Sequence, residues 1–141
     1  MQITVKVDAE LVRKGLQDLK AEAPKVGRSQ FRFAAERVVR RMQAYPPERV
    51  GQTYERTGNF FSHWVIEQVE QGYQISNDVE HKGHRYGVYV VGDAYGTNQA
   101  WMHDGRWEKF RDAVDAEMEK LPDDVLEVVR MVARREGFDV R

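Results

Sequence analysis

Four histidines are the first groups in this chain with the chemistry of a metal ligand or proton carrier. His81 and His84 lie three apart, and His103-Asp104 follows downstream, so imidazoles and a carboxylate are available to a cation. Their surroundings argue against that use. The stretch His81-Lys82-Gly83-His84 falls in an expected loop, where spacing says little about convergence, and Lys82 and Arg85 repel a cation. His63 falls on the same face as Phe61 and Val65 and reads as a packing residue. Nucleophilic chemistry has less support still. The chain has no cysteine, and Ser29, Ser62 and Ser76 sit in none of the strained turns that expose a nucleophile. The acid pairs Asp123-Asp124 and Glu117 with Glu119 are expected on heavily charged helices, where a solvated surface is the ordinary role. Gly83, Gly87 and Gly92 do not form a strand-turn-helix phosphate cradle. No catalytic residue, metal ligand or cofactor is therefore assigned, and the chain reads as non-enzymatic.

Arginine is the other chemically suggestive residue. Arg28, Arg32, Arg37, Arg40 and Arg41 crowd one expected helix and could contact phosphates, which makes a cytoplasmic nucleic-acid-binding protein the alternative reading. On an ideal helix, however, Arg32 and Arg40 point differently from Arg37 and Arg41, and Glu36 interrupts them. The charge distribution also differs from that of a uniformly basic binder. Residues 1–65 carry 12 Lys/Arg against 7 Asp/Glu, residues 66–129 carry 6 against 14, and residues 130–141 carry 4 against 2. A polarised molecule of this kind suits copies meeting basic side to acidic side, although charges clustering by helix produce the same blocks.

The elements that must position these groups follow from periodicity. Alternation of Ile3, Val5 and Val7 predicts a first strand, and Asp8 can cap a helix over about Ala9 to Glu22 with Leu11, Leu16 and Leu19 as its stripe. Pro24 is expected to close that helix and open a second one to about Ala44, carrying Phe31, Ala34, Ala35, Val38 and Met42 on its apolar face. Phe60 to Glu70 reads as a strand, with Trp64 and Ile66 on one face and Phe61, Val65 and Val69 on the other. Gly72 then permits a tight turn into a strand over Tyr73 to Asn77. Asp78 to Arg85 is a polar connection, and Tyr86 to Val91 is the strongest strand signal. Trp107, Phe110, Val114, Met118 and Leu121 share one face of a third helix. Pro122 interrupts it, Asp123 caps a last helix with Val125, Val128, Val129 and Val132, and Gly137 stops that helix. The expected fold is α+β: a small antiparallel sheet of about four strands packed by two N-terminal helices and one or two C-terminal helices. Its 141 residues make a single domain, 1–141.

Two long loops interrupt that domain, at about 45–58 and 92–106. Tyr45-Pro46-Pro47 ends the second helix because proline disfavours helical geometry in the residue before it. The connector as far as Thr57 lacks hydrophobic periodicity, and loops of such length in compact domains are commonly functional. Gly58 supplies a positive-φ turn and the Thr57 hydroxyl can bond nearby amides. Trp101 and Trp107 flank the end of the second loop, where large aromatic side chains either anchor a partner or fold back on the domain itself. The absence of cysteine excludes a disulfide scaffold, no apolar run is long enough for a membrane span, and MQITVKVDAE lacks a signal peptide's apolar centre, so a cytoplasmic setting is expected.

Two stretches carry a family resemblance. One is Tyr45-Pro46-Pro47, then Gly51-Gln52-Thr53-Tyr54, then Arg56-Thr57-Gly58-Asn59-Phe60-Phe61-Ser62-His63-Trp64-Val65. The other is Tyr86-Gly87-Val88-Tyr89-Val90-Val91-Gly92 followed by Gln99-Ala100-Trp101-Met102-His103-Asp104-Gly105-Arg106-Trp107. Together they resemble the minor tail or tail-completion proteins of long-tailed bacteriophages, which place a proline-rich loop and an Arg/Lys-Thr-Gly turn before a strand. Asn59-Phe60-Phe61 departs from that pattern, as does the additional Asp93-Ala94-Tyr95 segment. The resemblance implies a non-enzymatic virion protein of the neck, assembled in the host cytoplasm. It would form a ring, commonly a hexamer, that helps complete the tail and join it to the head. It further implies contacts with copies of itself and with tail-terminator or head-connector proteins, with no membrane and no sequence-specific nucleic acid as partners. Contact with DNA in the lumen would be incidental. The interface residues expected from the two loops are Tyr45, Pro46, Pro47, Arg49, Tyr54, Arg56, Tyr95, Trp101, His103, Arg106 and Trp107.

Overall fold

The computed structural model describes residues 9–53, 56–70 and 72–137. The expected strand at Ile3 to Val7, the Asp8 cap and the side chains of Leu11, Leu16 and Leu19 lie outside the described residues. The fold is α+β with antiparallel strands, as the sequence implies. The elements run α1 (Ala9–Met42), α2 (Asn59–Ser62), β1 (Trp64–Val69), β2 (Gly72–Asn77), β3 (Glu80–His81), β4 (His84–Arg85), α3 (Gly87–Val91) and α4 (Phe110–Arg135). They divide into two compact units, one of residues 1–30 with 122–141 and the other of residues 31–121.

In the first unit both prolines expected to end helices lie inside them instead. Pro24 sits within α1 and Pro122 within α4. A proline inside a helix removes one backbone hydrogen bond and costs about 3 kcal/mol. The residues after Pro122 retain a helical stripe of half-buried Val125, Val128, Val129 and Val132 with buried Ala133, so that burial offsets the local penalty. Gly137 (φ 90°) takes the left-handed conformation just past the end of α4, as its position in the sequence predicts.

The second unit holds the hydrophobic core. Val38 and Met42 from α1, Phe60 from α2, Val79 from the link between β2 and β3, Val90 and Val91 from α3, and Ala113 from α4 form its centre. Half-buried Tyr45, Trp64, Ile75, Tyr86, Trp107, Phe110 and Val114 pack around them. Two corrections to the expected strands follow. The chain after Gly58 makes one helical turn before the strand begins at Trp64, which buries Phe60 and leaves Phe61 outward. Gly58 (φ 77°) permits this entry, and the Asn59 amide donates to Thr57 Oγ1 at 3.4 Å. His63 closes the turn, its Nδ1 lying 2.6 Å from the Asn59 carbonyl oxygen.

The segment Tyr86 to Val91 is the second correction, since it forms α3 and not a strand. A run of nearly continuous apolar residues fits either period. Helical geometry places Gly87, Val90 and Val91 on one buried face, which alternation would split. Gly87 matters here, because a Cβ at this position would lie 3.1 Å from Asn77 Oδ1. The Asn77 side chain is already committed: Nδ2 donates to the Phe60 carbonyl at 3.0 Å, and Oδ1 accepts from the Val79 amide at 3.1 Å.

The strands themselves pair as two hairpins. β1 and β2 run antiparallel from Trp64 opposite Asn77 to Val69 opposite Gly72. β3 and β4, within the stretch expected to be an irregular connection, join through Lys82 (φ 51°) and Gly83 (φ 78°). Two successive positive φ angles are the type I′ geometry that matches strand twist. Ile66 and Ile75 face the core side of β1–β2, whereas Val65 and Val69 are about 40% exposed (39% and 43%), so the second apolar face predicted for β1 is uncovered in the single chain.

α4 contributes the largest departure from expectation. Glu117, expected on a solvated surface, is 3% exposed and lies on the buried face with Ala113 and Leu121. Its carboxylate accepts from Arg37 Nε at 2.5 Å and from Arg41 Nη1 at 3.2 Å. Arg41 also holds Glu108, with its Nε 3.1 Å from Oε2. Burial alone would raise the Glu117 pKa, but the hydrogen bonds from Arg37 and Arg41 outweigh it and leave the group below the usual carboxylate range. Met118, expected on the apolar face, is 46% exposed. Glu117→Ala is expected to lower stability by about 2–3 kcal/mol, less than a fully enclosed pair because both arginines reach solvent. Glu119→Ala, on the exposed side, should change it by under about 0.5 kcal/mol. Urea unfolding checks both. Because the folded pKa is depressed, the Glu117 contribution is full above the ordinary glutamate value and is lost as pH falls through the lowered folded value.

Candidate functional site

Expected interface residues from the two long loops converge in the second unit. The connector after α1 and the loop after α3 meet around a cavity of about 420 Å³, lined in part by Tyr45, Arg56, Phe60, His103, Arg106 and Trp107. Its floor is aromatic. Trp107 meets Tyr45 edge-on at 5.0 Å and Phe60 at 5.5 Å, and Phe60 continues to Trp64 at 5.6 Å. Trp107 therefore folds back onto its own domain. Trp101, only six residues earlier, is 84% exposed, so the two rings of the loop have separate roles.

Arginine side chains bind the two loops through backbone carbonyls. Arg106 donates to the Pro47 carbonyl at 2.9 Å and Arg49 to the Met102 carbonyl at 3.4 Å, both across the loops, while Arg56 braces the first loop itself by donating to the Pro46 carbonyl at 2.6 Å. Arg56 also stands over the Tyr45 ring, 5.2 Å from its centroid. Tyr45 has a second task, since its hydroxyl accepts from the Phe61 amide at 3.2 Å. The Tyr45-Pro46-Pro47 segment thus supplies an aromatic wall and two carbonyl acceptors in succession. Tyr54 lies outside the described residues.

These cations lie close enough to influence one another. Burial, then Arg49 and Arg56, push the Arg106 guanidinium below its ordinary value. Burial, then Arg106 and Arg49, push the His103 imidazole down. His103 packs edge-on to Trp107 at 6.2 Å, and its Nδ1 is buried with no hydrogen-bond partner among the described residues. The result is an apolar cavity with an electropositive rim, and none of the described lining residues is a carboxylate.

Tyr95 stands apart at 85% exposure, on a loop organised by Asp93. Asp93 Oδ1 accepts the amides of Tyr95 and Thr97, each at 2.9 Å, while Oδ2 accepts from the Thr97 hydroxyl at 2.6 Å and from Asn98 Nδ2 at 2.7 Å. Gly92 is required at its base: φ is 79°, and a Cβ there would lie 3.0 Å from the Thr97 carbonyl oxygen. Gln99, part of the second resembling stretch but assigned no role there, links both sides of this loop by donating from Nε2 to the carbonyls of Val90 (2.9 Å) and Trp107 (3.0 Å).

The remaining candidates are dispersed. His81 and His84 are opposed across β3–β4 and exposed, while His103 belongs to the cavity. Among the described residues no group of three His, Asp or Glu side chains is placed to hold a metal ion. On α1, Arg37 and Arg41 are engaged by Glu117 and Glu108, and Arg32 by Glu36 at 3.0 Å, which leaves the phosphate-binding reading fewer of its five arginines. No family model, curated protein or solved structure matches the chain.

Asp93→Ala should accelerate amide hydrogen exchange across residues 94–98 and leave the Glu117 region unchanged. In the native protein the same loop should hold through mild acid and loosen as pH falls toward about 2, the lowered value of Asp93, whose hydrogen bonds chiefly from Thr97 favour the ionised form. For His103, an NMR titration should give a midpoint below that of an unperturbed histidine. Its stabilising effect is complete above the ordinary histidine value and is lost as pH falls through that value toward the folded one.

Proposed function

We propose that this protein is a non-enzymatic structural subunit of the neck or tail of a long-tailed bacteriophage, acting in tail completion and head–tail joining as part of a ring. The observation that carries the reading is the convergence of the two resembling stretches. Tyr45 to Val65 and Tyr86 to Trp107, far apart in sequence, supply the walls of one cavity and are bound together by Arg49 and Arg106, while Arg56 braces the first stretch from within. Two further observations support it. Val65 and Val69 present an uncovered apolar face, and Trp101 and Tyr95 stand out into solvent on the second loop. Large aromatic groups exposed beside arginines are the composition of contact surfaces between proteins. A hexameric ring and neighbouring tail-terminator or head-connector proteins are the partners proposed for those surfaces. Each protomer of such a ring offers two different faces.

Deleting the coding segment in the phage should yield complete heads and tails that fail to join stably, visible by electron microscopy. Complementation with the intact chain should restore joining. Normal infectious particles from the deletion would sink the proposal.

A further inference from the structure

We infer that the cationic aromatic cavity of one copy is the socket for the β1–β2 hairpin of a second copy, with Glu67 and Glu70 meeting Arg49, Arg56 and Arg106 and the Val65/Val69 face meeting the apolar wall. The inference rests on the reading of the chain as a self-associating subunit and names which surfaces mate.

Charge complementarity is the first argument. Residues 64–77 contain two glutamates and no lysine or arginine, and Glu67 and Glu70 are exposed. The cavity has arginines at its rim and no carboxylate among its described lining residues. Nearby Asp104 is occupied by Lys109 at 3.7 Å. Arg49 and Arg56 act on Arg106, and among the described residues no carboxylate bonds any of the three, a repulsion that an incoming carboxylate relieves. Their carbonyl contacts already fix their positions, so little ordering remains to be done on binding.

Shape supplies the second argument. Among the described residues β1 and β2 pair only with each other, and the distal half of β1, Glu67 to Val69, is exposed on both faces. Two-stranded hairpins are marginal on their own in water, so a projecting one gains from being covered. The hairpin cannot readily supply its own chain's cavity. It departs from Trp64, which packs on the Phe60 ring at the cavity floor, and its tip lies roughly 16 Å further along the strand. A second copy supplies what the first cannot reach. Because socket and hairpin are different surfaces, the contact is heterologous and propagates from copy to copy.

Purified full-length protein tests the inference by sedimentation and NMR. Wild type should self-associate with rising concentration, less so at high salt. A hairpin variant (Glu67→Lys with Glu70→Lys) and a socket variant (Arg49→Glu with Arg106→Glu) should each lose self-association by at least about tenfold. Mixed, they should form a one-to-one complex and nothing larger, since only the hairpin of the socket variant and the socket of the hairpin variant remain intact. Should the socket variant fail to fold, isotope-labelled hairpin variant titrated with unlabelled wild type serves instead. Resonances of Thr57, Met102 and the Trp107 indole should then shift. Wild type that stays monomeric throughout, a hairpin variant that associates like wild type, or a cavity that binds an added aliphatic carboxylate but ignores wild-type protein would each overturn the inference. Particle joining is read separately: a deletion that abolishes joining sustains the assembly reading when the pairing fails. A confirmed pairing with normal deletion particles removes the assembly reading alone.

Discussion

One carboxylate holds the second unit together. Glu117 is buried, and a buried charge is tolerated only when ionic and hydrogen-bonding partners replace the water it has lost. Arg37 and Arg41, one helical turn apart on α1, meet that demand from one side, and Arg41 extends the network to Glu108, two residues before α4 begins. Around this point Met42, Ala113 and Leu121 are almost wholly removed from solvent. The loops depend on it indirectly. Trp107 directly precedes Glu108 and Phe110 follows two residues later, so the aromatic floor of the cavity is anchored to the segment that the arginines grip.

The same network explains what becomes of the opposed charge blocks. Part of the complementarity between the basic N-terminal half and the acidic middle is used inside the chain, where Arg37 and Arg41 meet Glu108 and Glu117. The remainder is displayed. Arg56 of the basic block lines the cavity, Arg49 reaches the Met102 carbonyl beside it, and Arg106, a cation set within the acidic block, joins them, while Glu67 and Glu70 stand exposed on the hairpin.

Much of this was legible where local chemistry decides the structure. Gly58 and Thr57 turn the backbone, Gly72 closes the β1–β2 hairpin, and Tyr45-Pro46-Pro47 follows the end of α1. Legibility failed where packing overrode local preference. The run Gly87 to Val91 is rich in strand-forming residues, yet the core takes its i, i+3, i+4 face. Pro24 and Pro122 have the local signature of helix breaks and lie within helices. At the cavity, the participating loops were identifiable from their length and aromatic content. The arginine-to-carbonyl bonds that join them were not, because a carbonyl acceptor carries no signature in side-chain sequence. Glu117 was recoverable in principle: its spacing from Ala113 and Leu121 places it on the buried stripe, and two arginines four apart were waiting on α1.

The unequal fates of the three tryptophans give the molecule a built-in optical record of its own condition. Trp64 and Trp107 belong to one continuous aromatic assembly through Phe60, whereas Trp101 is bathed in water. Their emission should therefore separate into a blue-shifted component from the half-buried, ring-packed pair and a red-shifted one open to soluble quenchers. Loosening of the core moves the first, and covering of the second loop by any neighbour moves the other. One chain can thus report its internal order and its outward contacts in the same spectrum, without an attached dye.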